Sequence, residues 1–235
     1  MSEIPYVGNE LELFMHAKNW KNYFGGFLRR YLSGRVLEVG AGIGGTTEFL
    51  CDGTQDKWVC LEPDPALYGD LAKKIAERQL PPCCSAIKGI SRDLPKEEKY
   101  DAILYIDVIE HIEHDAEELA YTSQLLVEGG HLIVLVPANQ SFYSPFDKAI
   151  GHYRRYNKKM LRAAAAPELS LVKMFYLDSL GLFASAVNKL FLRQSYPTLK
   201  QVNWWDKKIV PVSRITDVLT NHQFGKSLVG IWKKA

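Results

Sequence analysis

The amino-acid sequence predicts a single α/β domain built on a doubly wound, mostly parallel sheet. Short apolar runs recur at residues 36–39, 58–61, 102–106 and 132–136, and buried parallel strands have this composition. Helical patterns lie between these runs, and a glycine-rich turn follows the first of them. An alternation of strands and helices predicts that a ligand binds beyond the carboxyl ends of the strands.

Length, charge and cysteine content limit the classes of protein that the chain can belong to. Its 235 residues suit one large domain. With 29 Lys and Arg against 27 Asp and Glu, the net charge is +2, so no nucleic-acid partner is expected. Four cysteines without metal-ligand spacing, no signal-peptide pattern and no apolar run of about 20 residues favour a cytoplasmic protein without a transmembrane segment.

The chain is expected to divide by function within this one domain. Residues 1–33 mix aromatic and basic residues and are predicted to form an N-terminal helical lid. Residues 34–137 form the cofactor-binding core, and residues 138–235 supply an acceptor loop and the C-terminal part of the sheet. This last part is predicted to contain a helix over residues 180–192 and a strand over residues 227–232.

Helix ends are predicted from caps and helix-breaking residues. A crossover helix is expected over residues 65–80, because Pro81 cannot continue it. Asp115, with Glu118 three residues later, predicts a capping box at the start of another helix. The pair Gly129–Gly130 is expected to close that helix directly before the next strand.

The glycine-rich turn is the most informative segment of the sequence. Glycines between a strand and a helix let the backbone approach a ligand closely. The spacing Gly40-x-Gly42-x-x-Gly45 also fits a dinucleotide site, and Glu62 lies about 20 residues further on, where an acidic residue accepts ribose hydroxyls. An NAD-dependent oxidoreductase is therefore one alternative, and a non-catalytic cofactor-binding protein is another.

The context of this turn resembles the first motif of class I S-adenosylmethionine-dependent methyltransferases. In that family, an acidic residue at the position of Glu38 faces the methionine end of the cofactor, and one at the position of Glu62 binds the ribose. The resemblance implies a seven-stranded sheet and S-adenosylmethionine as cofactor. The cofactor-binding residues that it implies are Glu38, Gly40, Ala41, Gly42, Gly44, Glu62, Pro63, Ser91 and Asp107.

The sequence departs from the family pattern in its third motif. Many relatives have an aspartate directly after the glycine of this motif, whereas this chain has Ile90 after Gly89. Recognition of the adenine is therefore expected to rest on backbone groups or on Asp93.

Three residues are candidates for catalysis. Methyl transfer needs aligned reactants, and it needs a base only when the acceptor loses a proton. His111 follows the fourth strand and is the first candidate base, with Asp107 and His152 as further catalytic candidates. The alternative is that His111 only braces the turn in which it lies.

A divalent metal is a second possibility at the same place. Asp107, Glu110, His111 and His152 resemble the metal-binding cluster of small-RNA 2′-O-methyltransferases and of some quinone-pathway O-methyltransferases. Carboxylates with imidazoles hold Mg²⁺, Mn²⁺ or Zn²⁺. The same D-V-x-E-H pattern also occurs in methyltransferases that bind no metal, so both alternatives stay open.

The loop after the fifth strand is predicted to bind the acceptor. It resembles bacterial methyltransferases of glycan and natural-product pathways, which implies O- or N-methylation of a natural product, a sugar or a lipid-linked intermediate. Paired arginines can bind a carboxylate or phosphate, although a single arginine more often pairs with a nearby acid. The predicted acceptor-binding residues are Tyr143, His152, Tyr153, Arg154, Arg155 and Tyr156.

The C-terminal third contains a possible membrane-contact segment. Trp204, Trp205, Lys207 and Lys208 combine aromatic and basic side chains, which favour a membrane interface. Tryptophans in a protein core are the alternative explanation.

Overall fold

The computed structural model describes residues 10–187 and 197–235 and confirms the predicted fold class. Within these residues, seven strands form one sheet in the order β3-β2-β1-β4-β5-β7-β6. Strand β7 is antiparallel to both of its neighbours, and the pairs among β1 to β5 are parallel. The strands are β1 (Arg35–Val39), β2 (Lys57–Glu62), β3 (Cys84–Lys88), β4 (Tyr100–Ile106), β5 (Leu126–Pro137), β6 (Leu169–Leu177) and β7 (Ser227–Lys234).

Helices cover both faces of the sheet. One face packs against α2, α3, α4 and α10, and the other packs against α5 and α7. Apolar residues on both sides of β1, β2 and β4 are therefore buried, which explains their nearly continuous apolar sequence. The α-helices are α1 (Glu10–Met15), α2 (Lys18–Leu28), α3 (Thr47–Leu50), α4 (Pro65–Ala76), α5 (Asp115–Ser123), α6 (Pro145–Ala149), α7 (Lys158–Ala164), α8 (Ser179–Val187), α9 (Leu199–Trp204) and α10 (Val210–Leu219).

Two helix ends differ from the predictions. Helix α4 ends at Ala76, before the predicted end at residue 80, because the chain turns at Arg78 with a φ of 56°. Helix α5 ends at Ser123, and Gly129–Gly130 lies inside β5. There the pairing with β4 shifts register, so the glycines belong to an irregular strand start rather than to a helix cap.

The predicted capping box at Asp115 is also wrong. His114 is the N-cap residue of α5 and makes no side-chain capping bond, and Asp115 is the first helical residue. The carboxylate of Asp115 instead accepts a hydrogen bond from the Tyr156 hydroxyl at 2.6 Å and pairs with Arg154 at 2.8 Å. Glu118 likewise binds elsewhere, because it accepts from the Ser91 hydroxyl at 2.8 Å.

The N-terminal helices are held by the C-terminal part of the chain. A π-helical segment, Trp205–Ile209, follows α9. Its Asp206 carboxylate is buried and accepts from the backbone N–H groups of Asn19 and Trp20, at 3.2 and 2.9 Å. These are N–H groups of the first turn of α2, which lack partners within the helix. Asp206 thus caps α2 from the far end of the sequence.

A second buried carboxylate strengthens this connection. Asp217 of α10 accepts from the Tyr23 hydroxyl at 2.9 Å and from the backbone N–H groups of Asp178 and Ser179. Helix α2 is therefore fixed over the sheet. Of the predicted lid over residues 1–33, residues 1–9 lie outside the described residues, and the division at residue 33 stays a prediction. Of the helix predicted over residues 180–192, the part beyond Val187 lies outside the described residues.

None of the helices within residues 10–187 and 197–235 is long and apolar enough to cross a membrane.

Candidate active site

A cavity of about 810 Å³ opens at the carboxyl ends of β1, β2, β4 and β5. Its volume falls within the range of about 300 to 1,000 Å³ that is usual for small-molecule sites. Helices α1 and α2 form one wall, and residues 146–155 form another. The sequence predicted the cavity at this edge of the sheet.

The glycine turn adopts backbone conformations that favour glycine. Gly40, Gly42 and Gly44 have φ values of 68°, 55° and 75°. The N–H groups of Gly40 and Ala41 donate to the carbonyl of Leu61 at 2.8 and 3.1 Å. The turn is thereby attached to the end of β2, and Gly40, Ala41 and Gly42 line the cavity.

Glu62 lies at the end of β2 in the cavity wall. Its Oε2 accepts from the Gly42 N–H at 2.7 Å, and its Oε1 accepts from the Asp64 N–H at 2.9 Å. Burial raises the pKa of Glu62, and these two hydrogen bonds oppose the rise. Each oxygen has a second lone pair, so the carboxylate can still accept from a ligand hydroxyl. Pro63 lines the cavity beside it.

The structure places Glu38 behind the cavity wall rather than in it. The side chain is buried, and its Oε2 accepts from the Thr47 hydroxyl at 2.6 Å and from the Trp58 indole N–H at 2.8 Å. Burial raises the pKa of Glu38 to about 7. Through these two bonds, Glu38 connects β1 to the start of α3 and to β2. It therefore holds the two ends of the glycine turn together.

Lys21 of α2 is a cavity residue that the sequence analysis did not identify. Its ammonium group lies over the turn, because a Cβ added to Gly45 would be 3.1 Å from Lys21 Nζ. Burial lowers the pKa of Lys21 to about 8, and Glu48 opposes this shift. The Asp206 cap on α2 places Lys21 here, and no local motif signals that contact.

The residues of the third motif directly follow β3. Gly89, Ile90 and Ser91 line the cavity, and the Ser91 hydroxyl donates to Glu118. The Asp93 carboxylate accepts from the Ile90 N–H at 3.0 Å and is not among the cavity residues, so it caps its own turn. Recognition of the adenine by backbone groups of Gly89 to Ser91 stays a prediction, and these residues, unlike Asp93, line the cavity.

Two acidic residues follow β4. Asp107 has a φ of 54°, and its exposed surface lies in the cavity wall. Partial desolvation within the cavity raises the pKa of Asp107, with opposition from Lys226. Glu110 is fully buried, and neither carboxylate oxygen has a hydrogen-bond partner within the described residues. Burial and the neighbouring Asp107 raise the pKa of Glu110 well above its ordinary value.

His152 lies beside Glu110 and is oriented by a second carboxylate. Asp147 Oδ1 is 3.0 Å from His152 Nδ1, and the same carboxylate binds both Arg155 Nε and Nη2, at 2.8 and 2.9 Å. Burial opposes ionisation of Asp147, but the bonds from His152 and Arg155 outweigh it and lower the pKa of this carboxyl. The other ring nitrogen, His152 Nε2, is 3.8 Å from Glu110 Oε1.

His111 contacts His152 edge to face, with ring centroids 4.5 Å apart. Burial and the nearby His152 lower the pKa of His111 to about 3. His111 is therefore neutral at ordinary pH and is a weak base. The structure brings Glu110, His111 and His152 within 4.8 Å of one another, whereas Asp107 is not part of this group.

The rest of the predicted acceptor loop divides into wall residues and supporting residues. Tyr153 and Arg155 line the cavity. Tyr143, Arg154 and Tyr156 are not among the cavity residues. The Tyr143 hydroxyl donates to the His152 carbonyl, and Arg154 binds Asp115 and the carbonyl of Glu113. Tyr156 is 1% exposed. The arginine pair thus holds the loop in place through acidic partners rather than offering two free cations.

Lys226 is another cavity cation that the sequence analysis did not identify. It precedes β7, and its Nζ lies 4.8 Å from the centre of the Trp205 ring. Burial lowers the pKa of Lys226, with opposition from Asp178. No carboxylate of the described residues lies within 4.0 Å of its Nζ.

Comparisons with known proteins agree with this geometry. Residues 37–132 match the family model of a methyltransferase domain. Comparison with curated proteins gives no match. The chain is similar in fold to a S-adenosylmethionine-dependent methyltransferase of Clostridium acetobutylicum (TM-score 0.59, 12% identity, 93% of this chain and 92% of that chain). It is also similar to the N-methyltransferase NodS of Bradyrhizobium japonicum (TM-score 0.55, 13% identity, 93% and 85%).

A third similar structure is the [4+2]-cyclase SpnF (TM-score 0.61, 15% identity, 99% of each chain). Likeness at these identities shows the fold alone, since one fold hosts different reactions. The family match covers the glycine turn, Glu62 and the acidic residues after β4, and it favours a methyltransferase over an NAD-dependent oxidoreductase. Residues 37–132 are therefore similar to a methyltransferase domain, and the chain has the fold of solved S-adenosylmethionine-dependent methyltransferases.

Proposed function

We propose that this protein is an S-adenosylmethionine-dependent methyltransferase that methylates an oxygen or nitrogen of a small polar acceptor, and that His152 removes the acceptor's proton. The observation that carries the proposal is the pairing of His152 with Asp147 in the cavity wall. An ionised carboxylate only accepts hydrogen bonds, so His152 Nδ1 carries the proton and Nε2 carries a lone pair. His152 Nε2, which carries this lone pair, lies 3.8 Å from Glu110 Oε1 in the turn after β4.

The proposed cofactor position is the side of the cavity that the glycine turn forms. Glu62 would accept the ribose hydroxyls, and the Lys21 ammonium would pair with the carboxylate of the methionine part. S-adenosylmethionine, when bound, supplies a methyl group on a positively charged sulfur. The backbone at Gly40–Gly44 and the apolar wall of α1 and α2 would exclude water from this end of the cavity.

The proposed acceptor position lies between the β4 turn and the acceptor loop. The acceptor's lone pair attacks the methyl carbon as the carbon–sulfur bond breaks, and the bonding electrons stay on sulfur. The acceptor proton moves to His152 Nε2, and Asp147 stabilises the resulting imidazolium. His111, whose pKa is lowered, would pack against His152 and fix its ring rather than act as the base.

The cavity supports a polar acceptor with a negatively charged or hydrogen-bonding group. Arg155 is already paired with Asp147, so Lys226 is the cation in this part of the wall that can meet such a group. Tyr153 lies at the cavity edge and is 51% exposed. A natural product, a sugar or a lipid-linked intermediate stays our prediction for the acceptor. Location in the cytoplasm stays a prediction as well.

Contact with a membrane surface also stays a prediction. Trp204 is 58% exposed, and Lys207 and Lys208 are exposed beside it. Trp205 is not available for such contact, because it packs against Phe14 and Trp20 and lines the cavity.

The Glu110, His111 and His152 group would also fit a divalent ion. The two Glu110 oxygens lack partners among the described residues, and Asp147 orients His152 as second-layer carboxylates orient metal-binding histidines. Such an ion would lower the pKa of an acceptor hydroxyl. If it is required, exhaustive chelation should remove activity and added Mn²⁺ or Zn²⁺ should restore it. Full activity after chelation, with no metal by elemental analysis, would leave His152 acting alone.

Cofactor binding is tested by replacing Glu62. Glu62→Ala removes the proposed ribose acceptor and the partner of the Gly42 N–H. We expect affinity for S-adenosylhomocysteine, measured by calorimetry, to fall by roughly 1.5 to 3 kcal/mol, the scale of hydrogen bonds to charged groups.

Two controls belong to this measurement. Glu77→Ala, at an exposed pair with Lys73 outside the cavity, should bind like wild type. NADH should not raise the melting temperature, whereas S-adenosylhomocysteine should. Wild-type affinity in folded Glu62→Ala protein would contradict the assigned cofactor position.

A further inference from the structure

Three cysteine thiols lie together away from the cavity, between the end of α3 and the start of β3. Cys51 Sγ is 3.4 Å from Cys83 Sγ and 3.6 Å from Cys84 Sγ. The three sulfur atoms all lie within 4.8 Å of one another. None of these residues lines the cavity, so neither the cofactor nor the acceptor uses this cluster.

The backbone fixes the three positions. The Cys51 N–H donates to the Thr47 carbonyl at 2.9 Å, in the last turn of α3. The Cys83 carbonyl accepts from the Trp58 N–H at 2.8 Å, and Cys84 pairs with Trp58 in the β2–β3 register. Cys84 lies in β3, Cys83 lies in the turn directly before it, and Cys51 directly follows α3. The backbone bonds to α3 and β2 hold the three thiols in place, and pre-positioned ligands are what a metal site requires.

We propose that Cys51, Cys83 and Cys84 bind one thiophilic d¹⁰ metal ion, Zn²⁺ or Cu⁺. With a metal–sulfur distance of about 2.3 Å, three thiolates around one ion are about 4 Å apart. The observed separations from Cys51 approach this value, so small rotations of the thiols would admit the ion. Soft thiolate ligands select these ions over Mg²⁺.

A neighbouring amide adds a fourth donor at the same point. Gln55 is buried, and its Nε2 donates to the Leu32 carbonyl at 3.0 Å. This bond turns Gln55 Oε1 toward the cluster, where it is 3.4 Å from Cys51 Sγ. Cys83 is half-buried while Cys51 and Cys84 are 4% and 6% exposed, so the ion would enter from the Cys83 side.

Cys60 provides a contrast within the same protein. It is buried on β2, and its sulfur lies 3.7 Å from the Thr47 hydroxyl. It packs as a small core residue, as free cysteines commonly do. Cys60 is therefore the matched control for a cysteine that is buried and yet outside the cluster.

Metal content tests the proposal. Untagged, reduced protein is stripped with a chelator, supplied with Zn²⁺ and freed of unbound ion by gel filtration. Elemental analysis should show one zinc per chain fewer in Cys51→Ser and Cys83→Ser than in wild type. Cys60→Ala and Glu110→Gln should keep the zinc at the cysteine cluster. Zn²⁺ should raise the melting temperature of Cys60→Ala by more than that of Cys51→Ser, which lacks one ligand of this site. Mg²⁺ should change neither melting temperature.

Several outcomes would overturn the site. Equal zinc content in wild type and both serine variants would exclude the cluster as the ligand set. So would wild-type protein that retains no zinc while its thiols are shown to be reduced. If Cys51→Ser fails to fold, Cys83→Ser carries the comparison, because its side chain is half-buried.

Discussion

Replacing His152 with alanine is expected to lower kcat by about 10²- to 10⁴-fold for an acceptor that loses a proton, the usual contribution of a positioned base. Affinity for S-adenosylhomocysteine should stay unchanged, because His152 lies on the acceptor side of the cavity. Asp147→Asn should lower kcat as well, since the asparagine amide would no longer fix the Nδ1 proton of His152. Steady-state kinetics with an acceptor identified by screening metabolites against labelled S-adenosylmethionine would measure both effects.

The control for this experiment is His16→Ala. His16 is exposed between α1 and α2 and does not line the cavity, so this variant should turn over like wild type. A His152→Ala protein with wild-type kcat would show that alignment of the reactants suffices. If cofactor affinity fell together with kcat, His152 would be a residue that holds the fold of the site.

Gly40→Ala is expected to remove cofactor binding and to destabilise the fold by about 2 to 6 kcal/mol. A non-glycine residue at a positive φ costs about 1 to 3 kcal/mol, and crowding in a packed interior costs a similar amount. The added Cβ would lie 2.7 and 2.9 Å from the two methyl groups of Val108. Val108 follows Asp107, so the crowding would also displace the turn that carries Glu110.

Gly69→Ala is the matched comparison, because Gly69 lies within α4 and nothing is within 4 Å of an added Cβ. Alanine there should raise stability by up to about 1 kcal/mol. Thermal melts and calorimetry with S-adenosylhomocysteine would measure both variants. A Gly40→Ala protein that melts and binds like wild type would show that neither the positive φ of Gly40 nor its contact with Val108 excludes a side chain.

The sequence predicted those parts of the site that depend on local pattern. The apolar runs, the glycine turn and Glu62 at the end of the second strand could be located because strands and turns have short-range signatures. The same holds for the sheet, whose order in the structure confirms the predicted class. These residues form the floor of the cavity.

The residues that sequence analysis missed depend on contacts between distant segments. Lys21 reaches the cavity because Asp206 caps α2, and Lys226 reaches it because β7 inserts between β5 and β6. Neither contact leaves a local motif. The interpretation of Asp115 as a cap was wrong for the same reason, because Arg154 and Tyr156 bind its carboxylate. Competition for a side chain by a distant partner cannot be inferred from spacing.

The capping of α2 by Asp206 has a consequence for how the protein is made. The hydrogen bond between Trp20 and Asp206 joins residues separated by 186 positions in sequence, and the bond between Tyr23 and Asp217 spans 194. During synthesis, Trp20 emerges 186 residues before Asp206, so the first turn of α2 stays uncapped until Asp206 has been added. Closing loops of this length is slow. A nascent chain that already has the glycine turn and Glu62 would therefore acquire its Lys21 wall only in the final stage of folding.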